Sequence, residues 1–228
     1  MSTFTGKIIV AVFIAAACQH LSSAVIYQDD FESAVPGKAP ASWRTVWGTQ
    51  GSDTFNVSGE KSVSGNNSLQ YERRDSNTPW QSAIAFPRIQ EGTAVIAFNF
   101  MLNGQKSDAQ YRLILRRNNV NIVDLRLSEE TVSVKVFKEQ LSLGELPVEP
   151  DKWYHLELSF PVGTADGQEF KITMSNPADG KKQNLSASWQ ATGEASSYLL
   201  ICDFSGKVKN TSLFFDDFKI ETISHGKK

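Results

Sequence analysis

The chain has 228 residues, of which 40% are hydrophobic, and its formal net charge is -2. This length suits one domain with a substantial core, and all-β domains of ~200–250 residues are ordinary. The near-neutral charge gives no electrostatic reason to expect a nucleic acid or an anionic membrane surface as a partner.

Residues 1–24 have the pattern of a secretory signal peptide. Lys7 supplies a positive n-region, the apolar run Ile8–Ala17 follows it, and Ser22–Ala24 offers small residues for cleavage after Ala24. The apolar run is shorter than the ~20 residues of a membrane-spanning helix. We therefore expect a secreted or periplasmic protein with no transmembrane segment in its mature chain. A buried N-terminal strand or helix is the alternative.

The two cysteines bear on localisation and on stability. Ala15–Cys18 loosely resembles a bacterial lipoprotein cleavage box, so a lipid anchor through Cys18 is a second alternative. Cleavage after Ala24 leaves Cys202 as the only cysteine, and no disulfide within the chain is then expected. Cys202 ends the strand-like run Tyr198–Cys202 and is predicted to be a buried, unreactive thiol.

Strand patterns run through the predicted domain, residues 25–223, which precedes a predicted disordered tail, 224–228. The clearest strand segments, in chain order, are 68–72, 94–102, 110–117, 120–127, 131–137, 153–160 and 170–174. Most of them alternate apolar and polar residues, which is typical of strands with one buried face. Turn residues lie between the strand-like stretches, as in the loop Pro36–Pro40 and the predicted hairpin turn at 116–119. No stretch has a helical period, so the sequence predicts a single antiparallel sandwich or barrel.

The two ends of the predicted domain are similar to each other. Tyr27–Glu32 and Phe214–Ile220 each hold an acid pair within a strand-like aromatic run. This similarity predicts that the first and last strands lie side by side. Phe214, Asp216 and Phe218 share one parity, so we expect Asp216 on the core side unless a bulge intervenes. A buried carboxylate must be paired, neutralised or bound to metal.

These motifs together resemble those of secreted bacterial concanavalin A-like (laminin-G-like) jelly-roll domains. The motifs that carry the resemblance are Asp29–Glu32 with Pro36, Gly37, Pro40 and Trp43, then Gly65–Leu69, Trp153–Leu158 and Phe215–Phe218. The resemblance implies an all-β, two-sheet antiparallel jelly-roll sandwich. That superfamily includes lectins, carbohydrate-binding modules, glycoside hydrolases, polysaccharide lyases and adhesion modules, and the fold alone does not choose among them.

The resemblance also implies a structural calcium ion where the terminal strands meet. Calcium prefers carboxylate and carbonyl oxygens. The residues predicted to supply them are Asp30, Glu32, Asp216 and Asp217. The alternative is that these carboxylates accept hydrogen bonds from backbone amides or from lysine and arginine side chains.

Charged and polar residues oppose the apolar residues of the middle strands. They are Arg112, Arg116, Asp124, Arg126, Lys135, His155 and Glu157. If these strands are neighbours, the residues form one continuous surface, on which Arg112, Arg126 and His155 bind the carboxylates or sulfates of a sugar polymer. The alternative is a solvated sheet face with cross-strand ion pairs.

Tryptophan rings stack on the apolar face of sugars, and two tryptophans lie in polar segments. Trp80 lies in the polar segment 75–81 and Trp189 lies within 186–190, so both are predicted to be exposed ligand contacts. Trp43 is predicted to plug the core under the first loop, and Trp153 to pack at the end of its strand.

No catalytic signature is present, and no catalytic residue is assigned. The sequence lacks the Glu-x-Asp-x-x-Glu strand of sandwich glycoside hydrolases and the Arg-x-Glu-Leu and Gln-[Ile/Val]-His strands of alginate-lyase-like enzymes. It also lacks zinc-ligand spacing and a nucleophile elbow. We therefore expect a secreted protein that recognises a polysaccharide without catalysis. The alternatives are a polysaccharide lyase with His155 as its base, a glycoside hydrolase with unfamiliar catalytic residues, or an adhesion or scaffold module.

Overall fold

The computed structural model describes most of the predicted domain. The described residues are 22–47, 54–73, 81–86, 89, 91–104, 111–117, 120–128, 130–136, 141–162, 169–188, 198–203 and 211–224. Residues up to 21, the end of the chain from 225 onwards, Trp80, Trp189 and residues 118–119 of the predicted turn lie outside them. All the regular secondary structure within the described residues is β-strand.

Fifteen strands occur in these ranges. In chain order they are β1 (Ser22–Asp29), β2 (Arg44–Trp47), β3 (Thr54–Ser58), β4 (Ser68–Arg73), β5 (Gln81–Phe86), β6 (Gly92–Gly104), β7 (Tyr111–Arg117), β8 (Val120–Leu127), β9 (Thr131–Val136), β10 (Leu141–Pro147), β11 (Trp153–Val162), β12 (Glu169–Ser175), β13 (Lys182–Ser188), β14 (Tyr198–Asp203) and β15 (Thr211–Ser224).

The strands form two sheets in which the described neighbours are all antiparallel. The first sheet has the order β13-β12-β11-β6-β15-β4-β3, and β1 also pairs with β15. The second sheet has the order β10-β9-β8-β7-β14-β5-β2. The prediction of an all-β, two-sheet antiparallel sandwich is therefore confirmed.

The core lies between the sheets because alternate residues of each strand face inwards. The three valines of β9 are buried, for example, while the residues between them are partly exposed. Phe98 and Phe218 stack at the centre with ring centroids 5.4 Å apart, and burial of each ring stabilises the fold by ~1.5–3 kcal/mol. Trp43 packs edge-on against Phe55 and Phe218 and is 5% exposed, as predicted for a core plug.

The last strand, β15, changes one of its neighbours half-way along. Its residues 211–215 pair with β4 and its residues 218–224 pair with β1, while β6 pairs with both halves. The register against β6 shifts between Asp216 and Lys219, and Asp217 has a φ of 48°, which together describe a β-bulge. The pairing of β1 with β15 confirms that the first and last strands lie side by side.

The bulge reverses which side chains of β15 face the core. Phe215 before the bulge and Phe218 after it both belong to the core. This bulge is the exception that the prediction for Asp216 allowed, because its extra residue shifts the alternation and Asp216 does not share the core side with Phe218. Asp216 lies opposite Asn99 in register, on the outer face of the first sheet, yet it is fully buried.

The strand predictions from sequence are confirmed for the apolar segments. All seven segments correspond to described strands, namely β4, β6, β7, β8, β9, β11 and β12. The sequence does not predict β13, because this edge strand has the polar sequence KQNLSAS and buries little on either face. β1 begins at Ser22, so cleavage after Ala24 removes the first three residues of the strand.

Candidate functional site

Asp216 anchors a segment of the β3–β4 connection at the bulge. Its Oδ2 accepts the backbone N–H groups of Val63 (2.9 Å) and Ser64 (3.1 Å), and its Oδ1 accepts that of Asp217 (2.8 Å). Burial raises the pKa of Asp216, against the lowering effect of these three N–H donors. We call the place where Glu32, Asp216, Asp217 and segment 62–67 meet the terminal junction.

Glu32 and Asp217 hold the same segment from other directions. Glu32 Oε1 accepts the backbone N–H groups of residues 66–67 at 2.8 and 2.7 Å. Asp217 Oδ1 accepts the Ser64 hydroxyl at 2.8 Å. The fourth carboxylate, Asp30, accepts the N–H of Glu32 at 3.1 Å and closes a local turn. Glu32 from one end of the domain and Asp216 and Asp217 from the other therefore hold the same segment.

The hydrogen bonds at the terminal junction match the alternative to calcium binding. A calcium ion needs several oxygens that face it, whereas backbone N–H groups donate to both oxygens of Asp216 and to Oε1 of Glu32. Among the described residues, no three His, Cys, Asp or Glu side chains are grouped so as to hold a metal ion. As arranged, these carboxylates do not fit a calcium cage, and calcium binding stays a prediction.

An arginine pair lies on the outer face of the second sheet. Arg112 on β7 and Arg126 on β8 face each other directly in register. Asp124 Oδ1 accepts Arg112 Nε at 3.0 Å, and its Oδ2 accepts Arg112 Nη2 at 2.8 Å and Arg126 Nη2 at 3.1 Å. Burial alone raises the pKa of Asp124, but the hydrogen bonds and charges of the two arginines outweigh it and hold that pKa below its ordinary value.

The face around this pair has an excess of positive charge. We call the outer face of the second sheet the basic face. Among the residues whose side chains the structure describes, register places five cationic residues and one acidic residue on it, namely Arg44, Arg112, Arg116, Arg126 and Lys135, with Asp124. The chain as a whole carries a net charge of -2, whereas the described side chains of this face carry an excess of positive charge.

His155 lies on the opposite side of the molecule from the arginine pair. β11 belongs to the first sheet and β7 and β8 to the second, so His155 and Glu157 do not continue the basic face. The expectation of one continuous surface through Arg112, Arg126 and His155 is therefore wrong, because a strand that is near in sequence crosses to the other sheet. His155 instead contacts Asn99, with Nδ1 3.0 Å from Oδ1.

The partners of Asn99 fix the orientation of this histidine. Asn99 Nδ2 donates to Asp217 Oδ2 at 2.9 Å, so its Oδ1 faces His155 and accepts the Nδ1–H. A chain of hydrogen bonds therefore connects His155 through Asn99 to Asp217, which accepts the Ser64 hydroxyl at the terminal junction. Sequence analysis misses Asn99 because a lone polar residue within an apolar strand gives no indication of its partner.

Two tryptophans predicted to contact the ligand lie outside the described residues, and one cation of the basic face is not predicted by the sequence. Trp80 and Trp189 lie outside the described residues, so their exposure stays a prediction. Arg44 lies on the basic face opposite Ala83, and the sequence does not indicate it because β2 has only four residues. Trp153 is partly buried at the start of β11, as predicted.

Solved structures of lectins and of a carbohydrate-binding module share this fold. Lectin II from Ulex europaeus has a TM-score of 0.57 and 13% identity, covering 89% of this chain and 100% of that chain. A basic winged bean lectin with Tn-antigen has a TM-score of 0.56 and 10% identity, covering 91% and 100%. The CBM2 module of the evolved Dit of Lactobacillus casei BL23 phage J-1 has a TM-score of 0.60 and 14% identity, covering 91% and 99%.

The fold is a concanavalin A-like jelly-roll sandwich. This confirms the fold that the sequence resemblance implies, and the low identities limit the likeness to the fold. No protein-family model and no curated protein matches the sequence. Within the part of the chain that the structure describes, no helix is long and apolar enough to cross a membrane.

Proposed function

We propose that this protein is a secreted, non-catalytic jelly-roll domain that binds an acidic polysaccharide through its basic face. Secretion rests on the signal-peptide pattern of residues 1–24. Carbohydrate binding is supported by the lectins and the CBM2 module that share the fold. The choice of an acidic ligand rests on the arginine pair.

The geometry of Arg112, Asp124 and Arg126 is the observation that carries this proposal. Two arginines face each other across neighbouring strands, and the carboxylate of Asp124 lies between them and pairs with both. Both arginines make further interactions besides these. Among the described side chains of this face, five are cationic and one is acidic, and Asp124 fixes both guanidinium groups in place.

Fixed guanidinium groups suit the anionic groups of uronates and sulfated sugars. An arginine fork binds a carboxylate or sulfate through two parallel N–H donors, and these charge-assisted bonds are stronger than neutral ones. Side chains that are already held lose less conformational entropy on binding. The side chains of Arg112 and Arg126 are 23% and 28% exposed, so part of each remains accessible to a polymer.

Binding of charged and uncharged glycans tests this proposal. Wild-type protein is titrated with polygalacturonate, heparin and an uncharged glucan at low and at physiological salt. We expect binding to at least one acidic polymer, weakened by salt, and none to the glucan on this face. The variant R112Q/D124N/R126Q removes both guanidinium groups together with the carboxylate between them, and it lowers the affinity by about tenfold or more.

A variant on the other sheet is the matched control. His155→Ala removes a partly exposed side chain from the outer face of the first sheet and leaves acidic-glycan binding unchanged. Undiminished binding of the R112Q/D124N/R126Q variant, or loss of binding in His155→Ala, contradicts the proposal. Release of unsaturated products that absorb in the ultraviolet, abolished in His155→Ala, indicates a lyase instead.

A further inference from the structure

A pocket opens at the edge of the sandwich where the ends of the two sheets approach each other. Its volume is ≈ 190 Å³, and it lies between the end of β10 and strands β11, β12 and β13. The side chains of Val148, Tyr154 and Met174 supply its apolar wall, and all three are nearly buried. It shares no residue with the basic face or the terminal junction.

Polar side chains complete the lining with both donors and acceptors. Ser175 offers a hydroxyl group and Gln183 an amide. The charged groups are balanced, because Asp179 pairs with Lys181 at 3.3 Å and Glu149 pairs with Lys152 at 2.6 Å. Such a lining suits an uncharged ligand that carries hydroxyl groups on an apolar ring.

One wall of the pocket is a turn that three hydrogen bonds hold in place. Val148 N–H donates to the Glu130 carbonyl at 2.9 Å, and Asp151 N–H donates to the Leu102 carbonyl at 2.8 Å. The Tyr154 hydroxyl accepts the N–H of residue 149 at 2.9 Å. The wall is therefore formed before any ligand arrives, which lowers the entropic cost of binding.

The opposite wall is the β12–β13 hairpin, which is held in the same manner. Asn176 accepts the N–H of Ala178 at its side chain (2.8 Å) and the N–H of Gly180 at its backbone carbonyl (2.8 Å). Asp179 Oδ1 accepts the Lys181 N–H at 2.9 Å, and this backbone donor and the Lys181 ammonium keep the pKa of Asp179 below its ordinary value. Asp179 therefore stays ionised and paired near neutral pH.

We propose that this pocket binds the terminal pyranose unit of an uncharged glycan, as a second carbohydrate site. Its volume is below the ~300 Å³ at which pockets for drug-sized ligands begin, so it accommodates one ring rather than a stretch of polymer. The apolar wall receives the C–H face of the ring, and the polar lining receives its hydroxyl groups. This inference rests on the proposed carbohydrate binding, but on a separate set of residues.

Saturation-transfer NMR with the methyl glycosides of glucose, galactose, mannose and N-acetylglucosamine tests the pocket. We expect wild-type protein to bind at least one of them. The variant K181A/Q183A removes two polar side chains of the lining while it keeps the backbone bonds of the hairpin, and it weakens binding by about tenfold. Lys182→Ala removes a neighbouring exposed lysine that does not line the pocket, and it leaves binding unchanged.

The outcomes separate this inference from the proposed function. Failure of wild-type protein to bind any of the four glycosides, or equal binding by K181A/Q183A, overturns the pocket site. Glycoside binding that persists in the R112Q/D124N/R126Q variant supports a site distinct from the basic face. Glycoside binding without any binding of acidic polymers overturns the proposed ligand of the basic face and leaves the pocket site standing.

Discussion

Glu32 lies directly against Gly65 at the terminal junction. Its Oε1 accepts two consecutive backbone N–H groups, those of residues 66–67. A Cβ placed on Gly65 would lie 2.5 Å from the Glu32 carboxyl carbon, and Gly65 has a φ of +56°. Only glycine therefore lets the segment turn and come this close to the carboxylate. The contact joins the residues after β1 to the residues before β4, next to the bulge in β15.

The first prediction concerns substitution of Gly65. Gly65→Ala is expected to lower the free energy of unfolding by about 2–5 kcal/mol, because left-handed backbone strain costs ~1–2 kcal/mol and displacement of Glu32 breaks its two hydrogen bonds to residues 66–67, which contribute ~0.5–1.5 kcal/mol each. Urea denaturation measures the loss. Gly37→Ala is the control, since Gly37 also has a positive φ (+82°) but a Cβ added there would have no atom within 4 Å. Equal losses in both variants contradict a specific role of Glu32.

The second prediction asks whether hydrogen bonds or calcium hold the terminal junction. Asp216→Ala leaves three backbone N–H donors without their acceptor, and each unsatisfied buried donor costs ~1–3 kcal/mol. We expect a loss of at least about 3 kcal/mol in urea denaturation, equal in chelator and in millimolar calcium. Asp216→Asn keeps one acceptor oxygen and loses less. A melting temperature that rises with calcium in wild type but not in Asp216→Ala demonstrates the calcium site instead.

Sequence alone predicts that the two ends of the domain meet, but it does not predict what they hold. The acid pairs near Asp30 and Asp216 lie in strand-like aromatic runs of similar pattern. The first run overlaps β1 and the second lies in β15, and these two strands pair with each other. The alternation of apolar and polar residues does not predict the bulge at Asp216. One inserted residue changes which alternate residues face the core without changing the composition of the strand. The segment 62–67 is far from both ends in sequence, so its N–H donors are found only in three dimensions.

The position of the candidate binding residues shows a second limit of the sequence. Alternation identifies Arg112, Arg126 and His155 as outward-facing residues, and all three do face outwards. Alternation does not predict which of the two sheets a strand joins. β11 belongs to the first sheet, whereas β7 and β8 belong to the second. The connection before β11 is only residues 148–152, and which sheet the next strand joins is set by the tertiary packing of the core, which no local pattern records.

The third prediction is a pH dependence of stability that arises from Asp124. Its pKa is lower in the folded protein than its ordinary value of 3.8, so the unfolded chain binds more protons in this range. The stabilisation is therefore present above about pH 4 and is lost as the pH falls through the folded pKa. Asp124→Asn is expected to cost about 1–3 kcal/mol at pH 7 and progressively less below pH 4.

Denaturant titrations of wild type and Asp124→Asn between pH 7 and pH 3 measure this difference. Glu169→Gln is the control, because Glu169 pairs with Lys171 at 3.2 Å on an exposed surface, where ion pairs contribute little. Its effect is expected to stay within about 0.5 kcal/mol at every pH. A difference between wild type and Asp124→Asn that grows on acidification has the wrong sign for a lowered pKa and contradicts the role of the arginine pair.

The fourth prediction concerns Trp43, which joins the first loop to the core. Its ring lies edge-on to Phe55 and Phe218, with centroids 5.7 Å away in each case, and truncation leaves a cavity between them. Trp43→Ala is expected to lower the free energy of unfolding by about 3–5 kcal/mol, and Trp43→Phe by less because one ring remains. Urea denaturation followed by circular dichroism measures both. Val35→Ala, at a position 60% exposed in the same loop, is expected to change stability by less than about 0.5 kcal/mol. A loss below about 1 kcal/mol in Trp43→Ala would show that the loop packs independently of the sandwich.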